Sequence, residues 1–369
     1  MKKLMFVFGT RPEAIKLAPI ILKAKDYQLD FEPIIVSTAQ HRQMLDDILP
    51  TFGIKPDVDL NIMAPGQSLF YTTSKIIASM ESVIQSLQPD ILIFQGDTIT
   101  TFAAALCGFY AGKKTAHVEA GLRTGDKQLP FPEEVIRKMT SVVADYHFAP
   151  TVSAKENLIR ERYAPETIHV TGNTVIDALL WMVDRIKNTN CPLPDIALRL
   201  DQYSRIVLIT GHRREHFGLP LENICHALKY LALRNPNTAF VYPVHLNPNV
   251  QQTVKKILNG IDNLFLLHPL PYPTFCWFMR HCYLIITDSG GIQEEAPALG
   301  KPVLVTRKVT ERPEAVKDGM VKLVGNNRDK IIHFSQRLLD DRVYYNSMVK
   351  GFSPYGDGKS SERILDILK

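Results

Sequence analysis

Apolar residues recur along this chain in short, almost unbroken runs, each closed by a polar or glycine-bearing turn and followed by a longer stretch of helical period. In the first half the runs are Leu4 to Phe8, Glu32 to Ser37, Ile91 to Gln95, Thr115 to Val118 and Tyr146 to Ala149. In the second half they are Ile168 to Thr171, Ile206 to Thr210, Ala239 to Pro243, Leu264 to Leu267, Leu284 to Thr287 and Val303 to Thr306. Strands that alternate with helices predict parallel, doubly wound α/β sheets. No sequence repeat links the halves, so two similar folds are expected without a visible duplication. A boundary is expected near residue 170, where Val170-Thr171-Gly172-Asn173 leaves a strand and enters a helical pattern. The Pro- and Asn-bearing stretch from Asn188 to Pro194 reads as a surface loop. After the turn Gly351 to Gly358 a last helix, within 357–369, is expected to pack back on the first lobe. The expected domains are therefore 1–170 with 357–369, and 171–356.

A length of 369 residues suits two domains of ordinary size. With 45% apolar and 22% charged residues the chain has the balance of a core-forming protein throughout. The formal net charge of +5 is spread among acids without a dense basic run, which argues against nucleic acid and fits an anionic small molecule. Five cysteines, Cys107, Cys191, Cys225, Cys276 and Cys282, form no C-x-x-C pair. Neither a disulfide framework nor a zinc site is expected, and a reducing, cytoplasmic compartment is. The N-terminal apolar run stops at Gly9-Thr10-Arg11, too short for a signal peptide, and no run approaches the about 18 residues of a membrane span. No G-x-G-x-x-G follows a strand and neither a Walker loop nor H-E-x-x-H is present, so no cofactor or metal is expected.

In open α/β sheets ligands sit beyond the carboxyl ends of the strands, so the polar residues after each apolar run carry the candidate chemistry. The first run opens into Gly9-Thr10-Arg11-Pro12-Glu13, which presents Arg11, or is simply a solvated, capped turn. The third delivers Gly96-Asp97-Thr98, and His117-Val118 delivers Glu119-Ala120-Gly121. Asp97 reads as a reactive carboxylate or as a helix cap; Glu119 is a poor cap and harder to dismiss. Pro130-Phe131-Pro132-Glu133-Glu134-Val135-Ile136-Arg137 starts a helix on which Glu133 and Arg137 lie four apart. That spacing gives either an ordinary helical ion pair or a base held in place by a guanidinium. In the second half Gly211-His212-Arg213-Arg214-Glu215 puts an imidazole and two guanidiniums at a strand end, and Tyr242-Pro243-Val244-His245 repeats this weakly. Thr287-Asp288-Ser289-Gly290-Gly291-Ile292-Gln293-Glu294-Glu295, a strand, a small-residue turn and a helix, reads as an anion cradle of backbone N–H groups, with Glu295 placed to accept from ribose hydroxyls, or as a Gly-rich turn needed only for backbone geometry.

Taken together, Gly9 to Lys16, Gln40 to Leu45, Gly96 to Thr98, His117 to Gly125, Pro132 to Glu134, Gly211 to Glu215, Thr287 to Glu295 and Thr310 to Glu314 closely resemble the non-hydrolysing bacterial UDP-N-acetylglucosamine 2-epimerases, over nearly the whole chain. The resemblance implies two Rossmann-like lobes facing a central cleft, of the GT-B type, with UDP held mainly by the second. It implies interconversion of UDP-N-acetylglucosamine and UDP-N-acetylmannosamine by elimination of UDP to 2-acetamidoglucal and re-addition, feeding surface polysaccharide. Asp97, Glu119, Glu133 and His212 match the family's catalytic positions, with Arg137 in support. Asp97 and Glu133 are then expected as the proton-transfer pair at C2, Glu119 as the group that orients the sugar and His212 as a stabiliser of the departing diphosphate. Arg11, Lys16, Ser289, Gly290, Gly291, Glu295 and Arg312 are expected at the nucleotide, and Phe275 beside the uracil. Gln40, Gln43, Arg213 and His245 match positions tied to a second, activating UDP-N-acetylglucosamine, and a homodimer is implied. The chain departs from the family at Ile136, where members carry Asn, at Leu270, where some carry Gln, and at Gly66, where some carry Arg. A hydrolysing epimerase, a GT-B glycosyltransferase and a sugar-nucleotide sensor are the rival readings.

Overall fold

The computed structural model describes residues 1–188, 195–211 and 217–369. Its strands in chain order are β1 (Lys2–Phe8), β2 (Phe31–Ser37), β3 (Val58–Asp59), β4 (Ile91–Gln95), β5 (Lys114–Val118), β6 (Tyr146–Ala149), β7 (Ile168–Val170), β8 (Arg205–Thr210), β9 (Thr238–Pro243), β10 (Leu264–Leu267), β11 (Leu284–Thr287), β12 (Val303–Val305) and β13 (Val321–Leu323). They build two sheets, ordered β3-β2-β1-β4-β5-β6-β7 and β10-β9-β8-β11-β12-β13. Every adjacent pair is parallel, with Leu4 opposite Ile91 in the first sheet and Leu284 opposite Val207 in the second. Each sheet begins at an inner strand, winds to one edge, then returns to wind toward the other. That is the Rossmann-like order, and it places a ligand-binding switch point between β1 and β4 and another between β8 and β11.

The inner strands are apolar on both faces because helices cover both. Leu4 to Phe8 are wholly buried, as are Leu92, Ile93 and Phe94. On one face of the first sheet Met5, Val7, Leu92 and Phe94 pack with Ile76, Met80, Ala103 and Ala104. In the second sheet Val207, Ile209, Phe240 and Ile286 pack with Leu228, Leu231, Ile331 and Leu338. Ile136, on the helix Glu133–Val143, belongs to the first of these cores and is 2% exposed. An apolar side chain thus occupies the position where an amide was noted as usual.

The chain divides into two compact units, Met1–Trp181 with Tyr355–Lys369, and Met182–Pro354. The expected boundaries at 170/171 and 356/357 therefore move to 181/182 and 354/355. The reason lies in the first half of the helix Thr174–Asn188, which is bonded to unit 1. Asn173 N donates to the Tyr355 carbonyl at 2.6 Å, and Asp177 accepts from Ser361 N at 2.7 Å and Ser360 N at 3.3 Å. Trp181 stacks on Phe52, with centroids 5.2 Å apart. The helix Ser360–Leu368 packs on the helix Arg11–Asp26, and Lys2 Nζ donates to the Leu368 carbonyl at 2.9 Å.

Candidate active site

In unit 1 the groups of interest stand on the turns after β1, β4 and β5 and on the first turns of the helix Glu133–Val143. Pro12 sits at the start of the helix Arg11–Asp26, whose fixed φ suits that position, and half-buried Arg11 opens the helix. Glu13, one turn in and 1% exposed, accepts from Gly9 N at 3.0 Å and Thr10 N at 2.8 Å. It also accepts from Thr98 Oγ1 at 2.6 Å and Thr101 Oγ1 at 3.1 Å, so one carboxylate ties the turn after β1 to the turn after β4. Burial raises its pKa.

Asp97 is not a cap: the residue that caps the helix Ile99–Tyr110 is Thr98, whose hydroxyl accepts from Thr101 N at 3.2 Å. Asp97 Oδ2 instead accepts from Arg137 Nε at 2.8 Å and lies 2.7 Å from Nη2 in the same ion pair. Arg137 also lies 3.2 Å from Glu134 Oε2, and the Glu134 carboxylate, 1% exposed, accepts from Thr124 N at 3.0 Å and Gly125 N at 3.1 Å. Among the described residues no ion pair joins Arg137 to Glu133, so the expected helical pair is replaced by Asp97 from another strand end and Glu134 one turn back. Burial works against the Arg137 charge, but Asp97, Glu134 and Glu119 more than offset it and raise its pKa above the ordinary value. Glu133 is left half-buried with Oε2 out of reach of any donor among the described residues.

Glu119 follows β5 in the left-handed region at φ 69°, a conformation that costs a non-glycine residue about 1 kcal/mol or more and that turns its side chain back along the strand ends. Its Oε2 accepts from both Lys16 Nζ and Gln95 Nε2. Lys16, expected at the nucleotide, is thereby engaged by a carboxylate. Beneath these groups lies His117 on β5, wholly buried, with Nε2 2.7 Å from the Gly96 carbonyl. Burial pushes its pKa down to about 4. Of the residues tied to a second ligand, Gln40 accepts from Thr100 Oγ1 at 2.9 Å, and Gln43 is exposed on the helix Arg42–Phe52.

In unit 2, β11 leads through Asp288 to Ser289, the residue before the helix Gly290–Ala298. The turn is braced from within: Ser289 N donates to Thr287 Oγ1 at 2.9 Å, and Gln293 Nε2 donates to the Ser289 carbonyl at 3.1 Å. Gly290 is required by close approach, since a Cβ there would stand 2.6 Å from Arg312 Nη1. Arg312 Nε donates to Glu294, and Arg312 Nη1 lies 3.6 Å from Glu311 Oε1. Glu311 in turn pairs with Arg307 at 2.7 Å. Although burial alone would raise it, the Arg312 and Arg307 guanidiniums hold the Glu311 pKa down at about 2. Glu295 is buried on the same helix, and Gly300, at φ 65°, follows the helix end as expected of a stop. Phe275 is half-buried on the helix Tyr272–His281, and His245 is exposed with Nδ1 accepting from Asn247 N at 3.1 Å. His212 and Arg213 lie outside the described residues.

The structure thus pairs Lys16 with Glu119 and Asp97 with Arg137 at the strand ends of unit 1, and gathers Ser289, Gly290, Gly291 and Arg312 around one helix start in unit 2. Sequence reasoning gives no role to Glu13, Gln95, His117 or Glu134. The Thr10-x-x-Glu13 spacing was a usable signal, being that of a capping box. Carboxylates held beside cations suit proton transfer, and a small-residue helix start suits a phosphate.

A family model described as UDP-N-acetylglucosamine 2-epimerase matches residues 23–369. The chain is 52% identical over 370 residues to the UDP-N-acetylglucosamine 2-epimerase of Yersinia pestis, covering 100% of this chain and 98% of that one. It is 50% identical over 374 residues to the enzyme of the same description from Campylobacter jejuni, covering 100% and 97%. Among solved structures, that of UDP-GlcNAc 2-epimerase from Neisseria meningitidis bound to UDP-GlcNAc matches with a TM-score of 0.90 at 45% identity, covering 99% of each chain.

Proposed function

The chain belongs to the UDP-N-acetylglucosamine 2-epimerase family, and from that premise we propose that it interconverts UDP-N-acetylglucosamine and UDP-N-acetylmannosamine without net hydrolysis. The C2 proton of the sugar is not alpha to a carbonyl, so its removal needs a leaving group on C1, and UDP supplies one. A carboxylate takes the proton, the C–H electron pair becomes the C1=C2 bond of 2-acetamidoglucal, and the C1–O pair departs on the UDP β-phosphate. Protonation of C2 on the opposite face and return of the phosphate oxygen to C1 complete the inversion.

The observation that carries this reading is the Asp97–Arg137 pair together with the buried Oε2 of Glu133, which has no partner among the described residues. Proton transfer on two faces needs two carboxyl groups in different environments, and here one is fixed by a guanidinium while the other offers a free oxygen. Glu119, clamped by Lys16 and Gln95, orients the sugar. The Ser289-Gly290-Gly291 backbone and Arg312 receive the diphosphate, and His212 supports its departure. The nucleotide roles expected of Arg11, Lys16, Glu295 and Phe275 stand in this reading.

A homodimer belongs to this reading and is supported by an apolar face in unit 1. Val135, Met139 and Val142 lie exposed at helical spacing on the helix Glu133–Val143, and Phe109 and Tyr110 are exposed on the helix Ile99–Tyr110 packed beside it. A monomer mass by light scattering at micromolar concentration would refute that. No helix among the described residues is long and apolar enough to cross a membrane. A cytoplasmic site is supported by Cys107, Cys225 and Cys282, free and buried as in a chain kept reduced.

Proton NMR of the protein with UDP-N-acetylglucosamine in deuterated water tests the function. Deuterium at C2 with accumulation of UDP-N-acetylmannosamine is expected. Free UDP with free N-acetylmannosamine would make it a hydrolysing enzyme, and bound but unexchanged substrate would leave a transferase or a sensor.

A further inference from the structure

The turn that carries Asp97 is gripped at each residue by a different partner. The Gln95 side chain reaches Glu119, Asp97 takes a hydrogen bond and an ion pair from Arg137, and Thr98 Oγ1 donates to Glu13. Gly96 has no side chain, sits at φ 79° with nothing near its Cβ position, and is gripped instead through its backbone: Gly96 N donates to the Val118 carbonyl at 3.0 Å, and its carbonyl faces His117 Nε2 at 2.7 Å. A carbonyl only accepts, so Nε2 carries the hydrogen and Nδ1 of the neutral ring carries the lone pair. That Nδ1 is buried and has no partner among the described residues. The ring is wholly enclosed, beside Phe94 with centroids 5.9 Å apart. A phenyl would fill the same space and remove the orphan nitrogen, in exchange for leaving the Gly96 carbonyl without this donor. What the imidazole adds is the bond to Gly96.

We propose that His117 is a positioning residue for Asp97: by donating from Nε2 to the Gly96 carbonyl it fixes the Gly96–Asp97 peptide plane, and with it the direction in which the Asp97 carboxylate leaves the backbone. This rests on the reading of Asp97 as a proton-transfer group. A peptide free to rotate at a glycine of positive φ would swing the carboxylate off the Arg137 fork, and small misalignments of a reacting group cost rate more than binding. The low pKa of His117 is in keeping with this, since the ring stays neutral and keeps the required tautomer across the ordinary pH range.

The test measures C2 deuterium exchange, epimerisation kinetics and thermal unfolding for the full chain, His117→Phe and His117→Gln. The amide nitrogen of Gln reaches about as far as imidazole Nε2 and keeps the donor, whereas Phe keeps the ring and loses it. The expected result is that His117→Phe lowers kcat about 10- to 100-fold with KM within about 2-fold and Tm no lower than wild type, while His117→Gln recovers kcat to within about 5-fold of wild type. Rate then follows the donor and not the stability. Wild-type kcat in His117→Phe overturns the proposal, and so does an equal loss in both variants that tracks a fall in Tm. Should His117→Phe not fold, His117→Met, flexible and without a donor, carries the same comparison. Asp97→Asn is run alongside: if it still turns over, the reading of Asp97 itself fails and the proposal with it, whereas an inactive Asp97→Asn beside an unaffected His117→Phe refutes the positioning role alone.

Discussion

At the strand ends of unit 1 the groups assigned to chemistry are carboxylates, and cations hold them: Arg137 on Asp97, Lys16 on Glu119. At the strand ends of unit 2 the side chain assigned to the diphosphate is a cation, and carboxylates hold it: Glu294 and Glu311 on Arg312. The same physical rule, that a charge out of water persists beside its opposite, is applied with the signs reversed. The arrangements also differ in reach. Asp97 and Arg137 lie 40 positions apart and Lys16 and Glu119 lie 103 apart, whereas Glu294 and Arg312 lie 18 apart and Arg307 and Glu311 only 4. Unit 1 assembles its site from distant elements, and unit 2 assembles its own around one helix start. The first is therefore exposed to any change in packing, while the second tolerates change beyond its own neighbourhood.

Four substitutions press on that contrast. Asp97→Asn keeps the shape and removes the base, so kcat should fall about 1,000-fold while calorimetry still records UDP binding; loss of UDP binding as well would mean that the two functions are not divided between the units as assigned. Arg137→Met strips the cation from Asp97 and from buried Glu134. It should lower kcat about 100-fold and destabilise the protein by about 3 kcal/mol in urea unfolding, and an unchanged midpoint would show the network to be ornamental. Gly290→Ala drives a methyl group toward Arg312 and should weaken UDP binding about 10-fold with kcat at saturation little altered; a kcat loss as large as that of Arg137→Met would erase the distinction between the units. Glu311→Gln should be mildest on activity, with a loss of up to about 3 kcal/mol of stability near neutral pH. The sign follows from its lowered pKa: the wild-type advantage is fully present above about pH 4.5 and is lost as the pH falls toward about 2, so the two unfolding profiles should converge over that range. Parallel profiles would place the stabilising charge elsewhere.

What the sequence discloses follows the same division by reach. Strands are legible because a buried parallel strand is a local pattern: Ile91 to Gln95, Tyr146 to Ala149, Leu264 to Leu267 and Leu284 to Thr287 match to the residue. β3 and β13, of two and three residues at sheet edges, are too short to show a period. The Ser289 cradle is the most readable feature of the chemistry because strand, turn and helix are contiguous. The partner of Arg137 is not readable in that way. Periodicity offers Glu133, one turn away, and gives no view of Asp97, which only the adjacency of β4, β5 and the helix Glu133–Val143 brings within reach. His117 is hidden for the same reason, since its work is done on a backbone carbonyl of the neighbouring strand end, and a lone histidine in an apolar run looks like filler.

Unit 1 is also discontinuous in the chain, being closed by residues 355–369 after unit 2 has intervened. Ile364, Leu365 and Leu368 of the closing helix are buried in the folded protein. While the polypeptide is being made, the surface of the helix Arg11–Asp26 that they cover stays bare until the final segment has emerged. At about 5 to 20 residues per second the passage from residue 181 to residue 355 takes on the order of 10 s or more. For that interval the ribosome holds an unfinished first unit with the second still growing behind it, and a chaperone that favours bare apolar helices has its client there, in the half of the molecule assigned the proton transfer.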